Sequence, residues 1–306
     1  MDVSQLALLR ELGDRGSVTE VAYALGRSPS AVSQQLKTLQ RHMGVELVER
    51  VGRGVRLTDA GRALADASLR IATAMAEAEA TWNAYRGDAA GTVRVASFQS
   101  ASELLVPGIL TRMGAHPGIR VQLDDQDVSQ NDFAALTSDY DVVIAHRSDD
   151  VLPPEPSLLR VVPLLREPLD VGVPLDHPLA GRDTVAVADV IGDDWIGVPV
   201  DYPIDRVLAA MAMRAATPAR VIHRSTHLPL IENLVAAGHG IALLPRHTSL
   251  GRAAGRFRLL PLTDVRAGRH IEALLRPDRA ERLAVRVVLD AYLAEAAQHA
   301  EPVTNR

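Results

Sequence analysis

Cysteine is absent from this chain of 306 residues, which excludes disulfide frameworks, thiolate metal sites, iron–sulfur clusters and thiol-based redox switches. Also missing is any run of about 18 apolar residues that could cross a bilayer as a helix, although hydrophobic residues make up 47% of the chain. Met1 to Leu12 carries Asp2 and lacks a basic head followed by an apolar core, so it does not read as a secretory signal. A cytoplasmic protein without membrane partners is expected. Positive charge is not in excess either: the net charge is −5, and Lys37 is the only lysine. Any nucleic-acid contact must therefore come from the placement of a few cations, mostly arginines, rather than from a basic coat. The sequence lacks G-x-S-x-G, H-E-x-x-H, the phosphate-binding G-x-x-x-x-G-K and the dinucleotide-binding G-x-G-x-x-G, so an enzymatic reading has little to stand on, and no cofactor is implied.

What is present divides into three parts. In the first, Val3, Leu6, Leu9 and Leu12 recur at helical spacing. Ser17, three residues before Glu20, starts a second short helix with Val21, Ala22 and Leu25 on its inner face, closed by Gly26. Ser28 caps a third, with Pro29 at its first position and Val32, Leu36, Leu39 and Met43 inward. Its other face carries Ser30, Ser33, Gln34, Lys37, Gln40 and Arg41. Two short helices meeting at a glycine, the second presenting hydroxyls, an amide and a cation, have the make-up of a helix-turn-helix that enters a major groove. An ordinary solvated helix face is the alternative. Leu47 to Leu57, turning at Gly52-Arg53-Gly54, reads as a wing with Arg53 at its tip.

The second part starts at Thr58-Asp59 and runs to about Arg86 without proline. Some 28 helical residues span roughly 42 Å, too long for the core of a 60-residue domain. Leu64, Ala67, Ile71, Met75, Ala78, Trp82 and Tyr85 form a seam along it that suits pairing with a second copy. Gly87 to Gly91 ends it. From Thr92 strands and helices alternate, which predicts a parallel sheet with helices on its faces and ligands at the carboxyl ends of the strands. Two rounds of alternation imply two α/β lobes, with the last strand and a single helix over Asp278 to Ala297 folding back onto the first.

The first 65 residues resemble the DNA-binding domain of LysR-type transcriptional regulators. The resemblance rests on Gly16-Ser17-Val18-Thr19, Ala22-(x)2-Leu25, Ser30-Ala31-Val32-Ser33-Gln34-Gln35-Leu36-(x)2-Leu39, Gly44-Val45-(x)-Leu47, Arg50-(x)2-Arg53 and Leu57-Thr58-(x)-Ala60-Gly61. Leu104-Leu105-Val106-Pro107, Asp176-His177-Pro178-Leu179-Ala180 and Val235-Ala236-Ala237-Gly238 through Pro245 extend it over nearly the whole chain. Val48 and Gln40 stand where the family commonly has phenylalanine and glutamate. The likeness implies an N-terminal all-α winged helix-turn-helix at residues 1–58, a linker and dimerisation helix at 59–87, and an effector-binding domain at 92–297. That domain resembles periplasmic solute-binding proteins, with lobe I at about 92–162 and 267–297 and lobe II at about 163–266. It further implies a homodimer or homotetramer, double-stranded promoter DNA and a small-molecule effector as partners, and RNA polymerase as a further one. A solute-binding or enzymatic α/β protein with an accessory helical domain is the competing interpretation.

The residues expected on DNA are Ser28, Pro29, Ser30, Ser33, Gln34, Lys37 and Arg53, and those expected to pair the long helices are Leu64, Ile71, Met75, Ala78 and Trp82. For the effector, the first sensor strand runs into Ser97, Ser100 and Ser102 ahead of a helix expected from Glu103. Free N–H groups there suit a polar or anionic ligand, unless Ser100 or Ser102 simply caps the helix. By resemblance, Ser100 sits where these regulators often bind effector. Gln126, Val128, His146, Tyr202, Thr226 and His227 lie at other strand ends facing the same cleft, and His146 could titrate near neutral pH. His223 and His227 are four apart on a strand-like stretch, so no metal site is expected.

Overall fold

The computed structural model describes residues 2–52, 54–86, 89–154 and 159–299. Asp2 opens α1 (Val3–Arg15) with a capping box shared with Gln5, and Gly16 closes it at φ 64°. Ser17 caps α2 (Val18–Ala24) by accepting from the Glu20 N–H, and Ser28 caps α3 (Pro29–Met43) by accepting from that of Ala31. Leu6, Leu9 and Leu12 are buried, and Leu8, Leu9 and Leu12 meet Val21, Ala22, Val32, Leu36 and Leu39 in one core. Val3 and Met43, expected inward, are exposed. Val3 opens the first turn of α1, and residues 41–46, at the end of α3 and just beyond it, are all exposed.

The antiparallel hairpin of β1 (Val48–Val51) and β2 (Gly54–Leu57) forms the wing. Arg53, expected at its tip, lies outside the described residues. Next comes α4 (Asp59–Arg86), 28 residues long. Its first turn presses so closely on the wing that a Cβ at Gly61 would lie 2.0 Å from the Leu47 carbonyl oxygen, which only glycine permits.

The remaining chain forms two lobes threaded by one long strand. In lobe I, β3 (Gly91–Ser97) leads into α5 (Gln99–Met113). It pairs in parallel with β4 (Ile119–Asp125) and, beyond α6 (Phe133–Leu136), with β5 (Val142–Ser148). The strand β6 (Arg160–Pro174) gives its first half to lobe I and its second half to lobe II. Lobe II continues through α7 (Val187–Val190), β7 (Asp194–Gly197), α8 (Pro203–Ala215), β8 (Arg220–Arg224), α9 (Leu228–Ala236), β9 (Ala242–Pro245), α10 (Arg246–Ala253) and β10 (Phe257–Leu260). Then β11 (Gly268–Leu275) returns to lie between β5 and β6, followed by α11 (Pro277–Ala280) and α12 (Leu283–Ala296).

Three expectations are corrected. The sheet is mixed: β11 is antiparallel to both β5 and β6, and β6 is antiparallel to β9 and β10. A chain that leaves one lobe and comes back must reverse direction there. The C-terminal helix is two helices, broken at Glu281-Arg282, where Arg282 takes an extended conformation with ψ 130°. And α5 begins at Gln99 rather than Glu103, so Ser100 and Ser102 lie inside it and neither caps it.

Each lobe has its own core. Val93, Val95, Ile144, Ala273 and Val285 anchor the first; Val171, Trp195, Met211, Val235 and Leu244 anchor the second. Fully burying one such aliphatic side chain contributes about 1.5–3 kcal/mol. A layer of ion pairs joins α1 to lobe I: Arg10 to Asp278, Arg15 to Asp139, and nearly buried Arg276 to Glu11 and Asp14.

Candidate functional site

Two places bring together the side chains that the sequence singles out. The first is the outer face of α3. Ser28 is occupied as the cap, its hydroxyl also 3.0 Å from that of Ser30. Pro29 fills the first helical position, where its missing N–H costs nothing. Ser33, Gln34 and Lys37 follow along one face, the last two exposed, and among the described residues their side chains hold no hydrogen bond or ion pair. Gln40 leaves this face: its Oε1 accepts from the backbone N–H groups of Leu47 (2.9 Å) and Val48 (3.3 Å) and so ties α3 to the wing. Arg56 is engaged across the hairpin with Glu49, while Arg41 donates to Thr38.

Along α4, Ile71, Met75 and Trp82 are exposed by 39, 46 and 60%, and Trp82 stacks on Tyr85 with ring centroids 5.8 Å apart. Ala78 is exposed on the same side. Leu64 differs, being half-buried against the core of the winged domain. Large apolar side chains in a row on a helix, left to water, are the mark of a surface that is covered in an assembly.

The second place is the cleft between the lobes, which is nearly closed in this arrangement, with a cavity of about 20 Å³ that opens to solvent. The start of α5 supplies Phe98, Gln99, Ser100 and Glu103; Asp127 follows β4; His146 comes from β5 and Arg269 from β11. Lobe II answers with Val198, Tyr202, Pro203, Ile204, Thr226 and Leu228. Tyr202 follows Asp201, which adopts a left-handed backbone at φ 69°, and its hydroxyl donates across the cleft to the Asp127 carbonyl at 3.2 Å. Arg206 pairs with Asp150, and Arg252 with Glu103 at 2.5 Å, so charge also bridges the lobes on either side.

Of the nine residues expected to meet an effector, Ser100, His146, Tyr202 and Thr226 line this space. The others do not. Ser97 is buried with its hydroxyl directed to the Phe98 carbonyl, Ser102 is turned inward, and Gln126 donates to the Tyr140 hydroxyl. Val128 packs on the lobe I core, and His227 is exposed outside the lining at the head of α9.

The sequence reading missed the floor of the cleft. Arg269, 2% exposed, donates through Nε and Nη2 to Glu167 Oε2 at 3.1 and 2.6 Å, and through Nη2 to Ser100 Oγ at 2.8 Å. Its guanidinium lies 5.0 Å from the centre of the Phe98 ring. Glu167, fully buried, uses its other oxygen to accept from the Thr248 N–H and hydroxyl of lobe II. Signals for this did exist: Arg269 and Glu272 lie in β11 with Ile271, Ala273, Leu274 and Leu275, and Glu167 lies in β6 between Leu165 and Leu169. A charge in a buried strand has to find a partner.

His146 stacks on Phe98 with centroids 4.4 Å apart and meets Phe133 and Tyr202 edge-on. Burial, reinforced by Arg269, holds its pKa well below the ordinary range, so it stays neutral. The expectation of a group titrating near pH 7 is corrected. Neither ring nitrogen makes a well-formed hydrogen bond; the Val128 backbone comes near enough only to offset the burial slightly. Asp127 is the opposite case. Burial is the largest influence on it, ahead of Arg269, and its pKa is pushed up to about 6. Its Oδ1 is buried without a partner.

The family profile for the bacterial regulatory helix-turn-helix protein, lysR family, matches residues 3–62, and that for the LysR substrate binding domain matches residues 86–297. The HTH-type transcriptional regulator CbbR of Xanthobacter flavus is 29% identical over 265 residues, covering 84% of this chain and 76% of the relative. The transcriptional dual regulator GltC of Bacillus subtilis is 27% identical over 81% of this chain and 82% of its own. In structure, a full-length OxyR variant from Pseudomonas aeruginosa superimposes with a TM-score of 0.68 at 18% identity, covering 95% of this chain and 94% of the other, a likeness of fold.

Proposed function

This chain belongs to the LysR family of DNA-binding transcription regulators, and we propose that it reads promoter DNA through the exposed face of α3. The protein is a regulator with an effector-binding domain and not an enzyme. The assigned units are residues 1–58 for DNA, 59–87 for the linker helix and 92–297 for the effector. Among the described residues no helix is long and apolar enough to cross a membrane, and we place the protein in the cytoplasm.

One observation carries this reading: Ser33, Gln34 and Lys37 point off the recognition helix with the hydrogen-bonding groups of their side chains uncommitted among the described residues, while Ser28 serves as the cap, Gln40 holds the wing, Gln35 accepts from Arg27 and Arg41 donates to Thr38. Gln34 and Ser33 can then bond base edges, and Lys37 can meet a phosphate. The exposed Ile71, Met75, Ala78 and Trp82 support pairing of two α4 helices, which sets two α3 helices on successive major grooves. The cleft supports an effector held between the lobes, where closure or opening changes the shape of the assembly.

An electrophoretic shift with DNA upstream of the protein's own gene tests this. Saturable, salt-sensitive binding is expected, with Lys37→Ala lowering the slope of log affinity against log salt by about one contact's worth. Met75→Asp, which puts a charge in the seam, is expected to shift the protein to monomers in sedimentation and to weaken DNA binding. Unchanged binding by a Ser33→Ala, Gln34→Ala, Lys37→Ala triple variant would move the reading face off α3.

A further inference from the structure

We propose that the effector carries a protonated amino group, which ion-pairs with Asp127 in the cleft between the lobes. The inference rests on the reading of that cleft as the effector site and goes on to its chemistry. It starts from a census of charge. Arg269 is bound to Glu167 and Ser100. Glu103 is paired with Arg252, which also holds Glu232. His146 is kept neutral by burial. Every cation facing the cleft among the described residues is therefore already committed to a carboxylate, and an anionic ligand would find no free one.

Asp127 is the carboxylate left over. No ion pair to it is formed among the described residues, and its Oδ1 is buried with nothing to bond. An unsatisfied buried acceptor is costly, and a ligand N–H that reaches it recovers that cost in bound form. A second, independent polar group aimed into the space lies alongside: His146 is 5% exposed, lines the same cleft, and has both ring nitrogens without a well-formed bond. The walls suit the same ligand. Phe98, His146, Tyr202 and Ile204 line the space and suit the apolar carbons attached to an ammonium. Where the ligand also bears a carboxylate, the first N–H groups of α5 can receive it. The ammonium is the group that the cleft selects.

The pH dependence follows. The groups facing Asp127 are Arg269, which favours its ionised form, Asp125, which opposes it, and the Tyr202 hydroxyl, which is spent on the backbone carbonyl; neutral His146 and paired Glu103 add no free charge. An ammonium binds the carboxylate and not the acid, so affinity is full above the pKa near 6 and falls up to about tenfold per pH unit below it.

Thermal shift and calorimetry on the full-length protein decide the matter, using three sets of small probes at pH 7.5. These are amines without a carboxylate (tyramine, cadaverine, agmatine), amino acids (lysine, tyrosine, arginine) and carboxylates (4-hydroxyphenylacetate, glutarate). The expected result is a raised melting temperature with a member of the first or second set, and a loss of about 10- to 100-fold in its affinity in Asp127→Asn. Binding by carboxylates alone, an amine effect that survives Asp127→Asn, or no shift with any set would overturn the inference. An electrophoretic shift on the same preparation separates the two claims: a protein that binds DNA and no amine has lost only this inference, whereas one that binds neither has also lost the reading of α3 as the face that meets DNA.

Discussion

The outer face of α3 and the cleft between the lobes hold similar side chains, yet they treat them in opposite ways. On α3, Ser33, Gln34 and Lys37 are left without partners among the described residues. In the cleft Arg269, Glu167, Ser100 and Thr248 form one closed network, and an unpartnered atom such as Asp127 Oδ1 is an exception. The cost of leaving a polar group unbonded explains the difference. Water satisfies an exposed donor, so a surface that exchanges water for base edges can keep its groups uncommitted at little cost. Inside a cleft the same omission costs about 1–3 kcal/mol per group. An orphan on α3 therefore means little without its helical context, whereas one in the cleft marks a place that can hold a polar group of a ligand.

The contrast is broken most forcefully at Glu167. Glu167→Ala leaves the guanidinium of Arg269 buried with only Ser100 as partner, and a loss of about 3–5 kcal/mol in stability is expected from urea unfolding. Lys37→Ala on α3 is expected to change stability by no more than about 0.5 kcal/mol. Similar costs at the two positions would mean that the network of the cleft contributes no more than a surface charge.

A smaller effect sharpens the comparison at Asp127, and its sign is informative. An acid whose pKa is raised in the folded state costs stability wherever it must ionise: no cost below the unfolded value of 3.8, and the full cost above about 6. Asp127→Asn removes that cost while keeping the shape. Without ligand the variant is expected to be more stable than the parent at pH 7, by on the order of 1–3 kcal/mol, and indistinguishable from it at pH 4. Melting curves at the two pH values measure this. A variant less stable at pH 7 would show that Asp127 already has a structural partner.

The two regions also differed in how much of them the sequence disclosed, for the same physical reason. The winged domain is built from signals local to each helix: Ser17 and Ser28 as caps, Gly16 and Gly44 as left-handed ends, and apolar stripes at intervals of three and four. Each could be read in a short window. The floor of the cleft is assembled from residues more than a hundred positions apart, Glu167 with Arg269 and Ser100 with Arg269, and no local periodicity announces such a pair. Strand direction was hidden too, since side chains alternate with period two in parallel and antiparallel strands alike. Ser100, His146, Tyr202 and Thr226 were found because strand ends face ligands in this architecture. That rule names a rim, and Gln126 and His227 on the same rim are turned elsewhere.

The smallest expected effect tests the comparison within a single helix. Gln34 and Gln40 are the same residue type, six positions apart on α3, and the sequence placed both on one polar face. Gln40 accepts from the N–H groups of Leu47 and Val48, and Leu47 is 1% exposed. Truncating it leaves those donors short of a partner, for a cost of about 1–2 kcal/mol and a few degrees in the melting of the winged domain. Hydrogen exchange at the Leu47 and Val48 amides should quicken with it. Gln34→Ala should do neither and should weaken only DNA binding, because that side chain holds nothing within the protein. If Gln40→Ala melts and exchanges like the parent, the wing is held by the packing of Leu47 and Leu57 alone, and the division of α3 into groups that brace the domain and groups that read DNA is drawn in the wrong place.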